Sequence, residues 1–160
     1  MEMYEMSVPQ FKIILSNLSR LLKKTTKQIE QKKISTDIIL TAKLAPDMFN
    51  FTRQIQMSTD FIKNGTGRLA GVDLMRMDDN EKSFDELHTR IIQTISYLNR
   101  INPKQINGTE QKEINFSIGK VNFNFKGFEF LQTFVVPNIY FHVTSAYAIL
   151  RNNRKWKSDM

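Results

Sequence analysis

Cysteine is absent from the 160 residues of this chain, which excludes disulfide bonds, thiolate metal sites and a cysteine nucleophile. Only two histidines are present, so a metal site with three histidine ligands is excluded by count. The sequence also lacks an uncharged apolar run of about 18 residues, the length that a membrane-spanning helix needs. The N-terminus does not show the cationic start and apolar stretch of a signal peptide. We therefore expect a cytoplasmic protein without a membrane partner.

The motifs of several common enzyme classes are missing as well: a glycine-rich phosphate loop, a nucleophile elbow and a His-Glu-x-x-His sequence. The net charge of +7 would suit a nucleic acid partner. The basic residues, however, gather at the ends of two predicted helices, where cations offset the negative end of the helix dipole. No aromatic residues alternate with them to stack on bases, so we do not expect nucleic acid as a partner.

The hydrophobic and charged fractions, 41% and 24%, are ordinary for a globular protein, and the length suits one domain over residues 1–160. Apolar residues recur every three or four positions in four stretches, which predicts four amphipathic helices. The first runs from Val8 to about Gln31, and a short helical turn over Thr36 to Lys43 follows it. Pro46 suits the first position of the second long helix, with Asp47 in its first turn.

Two further features mark the ends of the second and third helices. Gly65 and Gly67 suggest that the second helix ends loosely, before a connecting loop over residues 71–82. Ser83 and Glu86 form a capping-box pattern at the start of the third helix. Its apolar stripe is Phe84, Leu87, Ile91, Ile95 and Leu98.

The period of the pattern changes after residue 113. Apolar and polar residues alternate on both sides of Gly119-Lys120, which predicts a β-hairpin over about residues 113–125 packed on the bundle. From Gly127 to about Asn152 the chain is apolar nearly all round, so we expect the most buried helix of the four, with a kink or local break at Pro137. The predicted fold class is all-α: an antiparallel four-helix bundle with one β-hairpin insertion before the last helix.

Few residues have side chains that could bind a metal or act in acid-base catalysis. His88 follows Leu87 and is expected at the edge or the solvent side of its helix, in a solvated role. His142 lies in the middle of the most apolar helix, near Asn138, and is expected to be buried and hydrogen-bonded. It is either a satisfied core or pocket histidine, or a ligand or acid-base group. Asp47 and Gln54, seven positions apart, share a face of the second helix. Asp47 either complements the helix dipole or acts as a catalyst.

Two segments, Leu-Ala-Pro-Asp-Met-Phe at residues 44–49 and Pro-Asn-Ile-Tyr-Phe-His-Val-Thr-Ser-Ala-Tyr-Ala-Ile-Leu-Arg at residues 137–151, closely resemble an uncharacterised family, the domain of unknown function 1993. That family belongs with the DinB/YfiT-like proteins. The resemblance implies a four-helix bundle that is often a homodimer. In many members three histidines hold a metal: one from the second helix and two from a His-x-x-x-His pattern on the last.

When the chain is aligned on Leu150-Arg151, the resemblance places His142 on the second of those histidines and Asn138 on the first. No histidine stands near residues 47–51 to supply the third. A divalent metal would therefore have His142 and Asn138 as candidate ligands in an incomplete site, and a neutral amide oxygen is a poor ligand for a transition metal. What the resemblance implies is a ligand pocket between the second and fourth helices, formed from Asp47, Gln54, Asn138, His142 and Tyr147.

These observations predict a ligand-binding or interaction module with a degenerate metal pocket, and a small molecule or a second copy of the chain as its partner. The alternative is a metal- or thiol-dependent enzyme related to DinB-like transferases, with His142 as ligand or base.

Overall fold

The computed structural model describes residues 2–33 and 35–155, and for residues 154 and 155 the backbone alone. The helices are α1 Val8–Lys32, α2 Thr36–Leu40, α3 Phe51–Ala70, α4 Phe84–Asn99, α5 Pro103–Ile106, α6 Gly127–Glu129 and α7 Val136–Lys155. A π-helical segment, Phe130–Val135, joins α6 to α7, and strands β1 Glu113–Ile118 and β2 Val121–Lys126 form a hairpin. The four long helices are α1, α3, α4 and α7, and they form the predicted bundle.

The hydrophobic core lies between these four helices. Helix α3 packs against both α7 and α4, and α1 packs against α4. The stripe predicted for α4 is buried at Phe84, Leu87, Ile91 and Leu98, whereas Ile95 is half-buried. Thr94 is the buried residue in that turn, and its hydroxyl donates a hydrogen bond to the Arg90 carbonyl. No helix in the described part of the chain is both long and apolar enough to span a membrane.

Helix α3 begins five residues later than predicted. Asn50 caps it, because its side-chain oxygen accepts a hydrogen bond from the Arg53 amide at 2.9 Å. Pro46 and Asp47 lie in a turn before the helix, closed by a bond from the Met48 amide to the Ala45 carbonyl. The prediction that Asp47 stands in the first turn was therefore wrong, and Asp47 does not share a helix face with Gln54.

The two glycines near the end of α3 are buried inside a continuous helix, so the expected loose end was wrong. They permit close packing instead. A Cβ atom at Gly65 would lie 2.7 Å from Cγ1 of Val135, which is closer than carbon atoms can approach. Gly65 therefore allows α3 and the π-helical segment to come into contact.

The hairpin has the predicted two-residue turn, with Gly119 at a positive φ of 58° and Ile118 paired with Val121. Its apolar face packs on the bundle as predicted: Phe116, Phe123 and Phe125 contact Phe134 of the π-helical segment. This aromatic contact compensates for the low stability of an isolated hairpin.

The local break predicted at Pro137 takes the form of the π-helical segment directly before it. The Val136 amide bonds to the carbonyl of Leu131, five residues back. Proline has no amide hydrogen for the usual helical bond, and its ring crowds the carbonyl four residues earlier. The wider π turn places that irregularity before the proline, and α7 then continues to Lys155.

The sequence had suggested that α7 is the most buried helix, and this was wrong. Tyr140, Phe141 and Tyr147 are each about half exposed. Tyr140 and Tyr147 line an apolar groove between α7 and α1, together with Ile14 and Leu21 of α1. An apolar pattern all round this helix therefore combines a core face with an exposed aromatic face.

Candidate functional site

The structure joins Gln54 of α3 to His142 of α7. Nδ1 of His142 lies 2.7 Å from Oε1 of Gln54, and both side chains are buried. The Gln54 amide nitrogen donates to the backbone carbonyl of Phe49 at 3.2 Å, which leaves Oε1 as the acceptor. This hydrogen-bond network assigns the proton to Nδ1 and the free lone pair of the imidazole to Nε2.

Aromatic rings enclose the imidazole. Phe61 stacks on it with ring centroids 5.5 Å apart and an interplanar angle of 19°, and Phe49 stacks at 6.3 Å. Burial and, to a smaller extent, the nearby positive charge of Arg53 together lower the pKa of His142 to about 4. His142 is therefore neutral at physiological pH, in agreement with the prediction that it is buried and hydrogen-bonded.

The other residues of the predicted pocket do not join this pair. The Asn138 amide nitrogen donates to the Phe134 carbonyl in the preceding turn, at 2.7 Å. Asp47 is exposed in its turn, and Tyr147 lies in the groove beside α1. Of the five residues, only Gln54 and His142 are joined to each other by a hydrogen bond within the part of the chain that the structure describes.

His88 lies at the edge of the apolar stripe of α4, one of the two positions expected for it, but its expected solvated role was wrong. It is half-buried, and its Nε2 lies 2.8 Å from the Ser19 hydroxyl. Helix α4 packs against α1, so a side chain at the edge of the apolar stripe meets the neighbouring helix rather than water. His88 is therefore part of the α1–α4 contact and not of a site.

The side chains near His142 do not fit the metal that the family implies. Transition metals favour imidazole, thiolate and carboxylate ligands, usually three or more from the protein. Here one imidazole stands beside two carboxamides, each with its amide nitrogen bonded to a backbone carbonyl. Across the described ranges, no three His, Cys, Asp or Glu side chains come together in a way that could hold a metal ion.

Phe61 also lines a cavity of about 210 Å³ between α3, β1 and the π-helical segment. Its wall includes four phenylalanines, Phe61, Phe116, Phe130 and Phe134. Three charged residues of α3, Arg53, Asp60 and Arg68, also line it. The sequence analysis did not single out this cavity, because its walls come from elements that are distant in sequence.

The charged groups at the cavity differ in their partners. Arg53 pairs with Asp79, and Asp60 pairs with Arg90 at 2.7 Å and with Lys63 at 3.2 Å. The Arg68 guanidinium lies over the Phe116 ring, 4.4 Å from its centroid. Burial lowers the pKa of Arg68, and within the described residues it has no carboxylate within ion-pair distance.

Arg90 is the centre of a buried polar network. Its guanidinium, 2% exposed, contacts Asp60, Asp79 and Glu81 at 2.7 to 3.0 Å. Burial alone would lower the pKa of Arg90, but the hydrogen bond to Glu81 and the three carboxylates outweigh it and raise the pKa.

This network ties the loop over residues 71–82 to α3 and α4. The sequence analysis missed it, although one signal was present: Arg90 stands three residues after Leu87 and one before Ile91, inside the apolar stripe of α4. A charged residue in such a position must find a partner when it is buried.

Comparison with known proteins identifies a matching protein family and a similar crystal structure. A family model described as a domain of unknown function, DUF1993, matches residues 3–154. The crystal structure of a DinB family member protein from Shewanella denitrificans is 35% identical, with a TM-score of 0.84, and the match covers 94% of this chain and 85% of that one. No curated protein matches the chain.

Proposed function

Since the chain belongs to the domain of unknown function 1993 family and has a DinB-like bundle, we propose that it is a small-molecule-binding module whose ligand occupies the cavity beside Phe61. The observation that carries the proposal is the cavity itself. Apolar aromatic walls and a few converging polar side chains are typical of ligand sites, and helical bundles commonly build such sites between their elements.

The neighbouring histidine favours binding over catalysis. With a pKa of about 4, the imidazole of His142 is a weak base, and its Nδ1 hydrogen is already donated to Gln54. It supports the site instead, because its imidazole stacks on Phe61, which lines the cavity, and Phe49 in turn stacks on the imidazole. The degenerate metal site that the family resemblance implies is thus a rigid backing for the cavity in this proposal.

The test is a ligand-observed NMR screen of single-ring aromatic compounds, balanced between cationic, neutral and anionic members. Ile118 lines the cavity and is about half exposed at the end of β1, so Ile118→Trp can block the cavity without entering the core. We expect some compounds to bind the unmodified protein and to lose binding to Ile118→Trp.

The matched control is Asn124→Trp. Asn124 is exposed on the opposite face of the same hairpin, so its replacement adds the same bulk away from the cavity. Binding should be unchanged in this variant. The proposal is abandoned if no compound binds, or if Ile118→Trp binds as well as the unmodified protein does.

The alternative function is an enzyme that uses His142, and one observation favours it. The hydrogen bond to Gln54 leaves the lone pair on Nε2, where it can accept a proton. Each compound that binds should then be incubated with the protein and followed by mass spectrometry. A product that forms with the unmodified protein but not with His142→Gln would support this alternative, and unchanged compounds would rule it out for that set.

A further inference from the structure

We infer that the ligand of this cavity is a monoanion with a flat apolar body, specifically a single-ring carboxylate bound through Arg68. This inference rests on the proposed function, because it names the chemical class that the same cavity would take. Three properties of the cavity lead to it: an unpaired cation, the charge balance of the wall, and the size and character of the remaining surface.

The unpaired cation is Arg68. Its side chain is half-buried in the cavity wall, and its guanidinium carbon lies 4.4 Å from the centroid of the Phe116 ring. Removal from water disfavours a charged group, as the lowered pKa indicates, and no carboxylate of the described chain compensates for it. A ligand carboxylate would supply that compensation, because guanidinium and carboxylate are planar groups that can form two parallel hydrogen bonds.

The charged residues of the cavity wall favour a ligand with one negative charge rather than two. Arg53 is opposed by Asp79, and Asp60 is opposed by both Arg90 and Lys63. Arg68 is therefore the wall cation whose charge is left over. A dianion would bring a second charge that no free cation in the described wall could meet, and a cationic ligand would be repelled by Arg68.

The volume of the cavity and its phenylalanine walls indicate the size and the apolar character of the ligand. At about 210 Å³ the cavity is smaller than the roughly 300 to 1,000 Å³ of sites for drug-sized molecules, so it suits a single ring. Phe61 and Phe134 lie with their rings edge to face, 5.6 Å between centroids, and offer an apolar surface against which an aromatic ring can pack.

The probes are phenylacetate and its neutral relative phenylacetamide, which has nearly the same shape but no charge. Isothermal titration of the full chain should show phenylacetate binding one to one, and phenylacetamide binding at least about tenfold more weakly, since a neutral amide cannot form charge-assisted hydrogen bonds with both partners ionised. Excess inorganic phosphate should not displace phenylacetate, because it lacks the ring.

The variants are Arg68→Gln and Arg68→Lys, with Arg151→Gln as the matched control. Arg151 is exposed in the last turns of α7, so its replacement changes the net charge equally but away from the cavity. Arg68→Gln should weaken phenylacetate binding at least about tenfold, Arg68→Lys should keep part of it, and Arg151→Gln should leave it unchanged. Affinity for phenylacetamide should differ little between Arg68→Gln and the unmodified protein.

The outcomes separate this inference from the function on which it rests. If phenylacetamide binds the unmodified protein as tightly as phenylacetate does, the cavity binds ligands but the inference of an anion is wrong. Equal losses in Arg68→Gln and Arg151→Gln would overturn the role of Arg68. Displacement of phenylacetate by phosphate would show a site for any anion and overturn the inference of a flat apolar body. If no ring compound of any charge binds, the proposed function itself fails. Because the phenylacetamide comparison needs no variant, poor folding of Arg68→Gln would not block the test.

Discussion

The Oε1 atom of Gln54 and the Nδ1 atom of His142 lie 2.7 Å apart, although the two residues are separated by 88 positions in the sequence. This bond links α3 to α7 at the histidine that the family resemblance aligns with a metal ligand. Here it assigns the imidazole tautomer, and the stacked rings of Phe49 and Phe61 keep the pair away from water.

The pH dependence of folding should reflect this burial. The pKa of His142 is about 4 in the folded protein and near 6.5 in an unfolded chain, so the unfolded state binds more protons between these values. The stabilisation that depends on neutral His142 is fully present above pH 6.5. As the pH falls towards 4, the free energy of unfolding therefore decreases by about 2 to 3 kcal/mol. Urea unfolding at several pH values, compared with His142→Gln, isolates that loss. An NMR titration midpoint near 6.5 would contradict the expectation.

Loss of the partner should destabilise the protein. Gln54→Leu removes the acceptor of a buried donor, so we expect the free energy of unfolding to fall by about 1 to 3 kcal/mol. Gln54→Glu provides the comparison, because its carboxylate can still accept from Nδ1 and would raise the pKa of His142. Chemical denaturation and an NMR titration of the imidazole measure the two effects. An unchanged stability in Gln54→Leu would show that the hydrogen bond contributes little.

The Arg90 network should behave as a buried ion cluster. Arg90→Met removes the shared partner of three carboxylates, and breaking a buried pair in this way typically costs about 3 to 5 kcal/mol. Hydrogen exchange should become faster in residues 71–82. Arg53→Gln breaks a more exposed ion pair with Asp79 and should cost about 1 kcal/mol or less. Similar losses in the two variants would contradict the burial-based expectation.

Three isoleucines of α4 form a matched series. Ile91 is fully buried, Ile95 is half-buried and Ile92 is 43% exposed. Replacement by alanine should lower the free energy of unfolding by about 2 to 5 kcal/mol at Ile91 and by less at Ile95. At Ile92 it should change that free energy by no more than about 0.5 kcal/mol. Equilibrium unfolding of the three variants checks the order. A larger loss at Ile95 than at Ile91 would show that α4 is rotated about its axis, with Ile95 rather than Ile91 facing the core.

The homodimer implied by the family resemblance stays a prediction, and the groove between α1 and α7 is the surface on which to test it. Exposed aromatic residues that cluster in this way are typical of interfaces. If the protein is a dimer through this face, Tyr147→Glu should convert it to a monomer in light scattering after gel filtration. Phe128→Glu, which changes another half-exposed aromatic residue, should not. A monomer at high micromolar concentration would contradict the prediction.

Local patterns were sufficient for much of the fold. The apolar stripes of α1 and α4, the Ser83 cap and the alternation around Gly119 are each readable within a dozen residues, because the helical and extended repeats are local properties of the chain. The start of α3 was placed too early because Pro46 and Asn50 both suit a helix start. Only the bond from the Arg53 amide to the Asn50 side chain decides between them.

The candidate site depended on tertiary structure. The sequence placed His142 in an apolar setting and showed that a three-histidine metal site was impossible, since both conclusions follow from residue type and count. That Gln54 and not Asn138 reaches the imidazole, that Arg90 gathers carboxylates from a loop and a helix, and that Arg68 remains unpaired beside Phe116 are decided by the packing of distant segments. Local periodicity determines which face of a helix is apolar, but the partner of a buried polar group depends on which other elements the fold brings next to it.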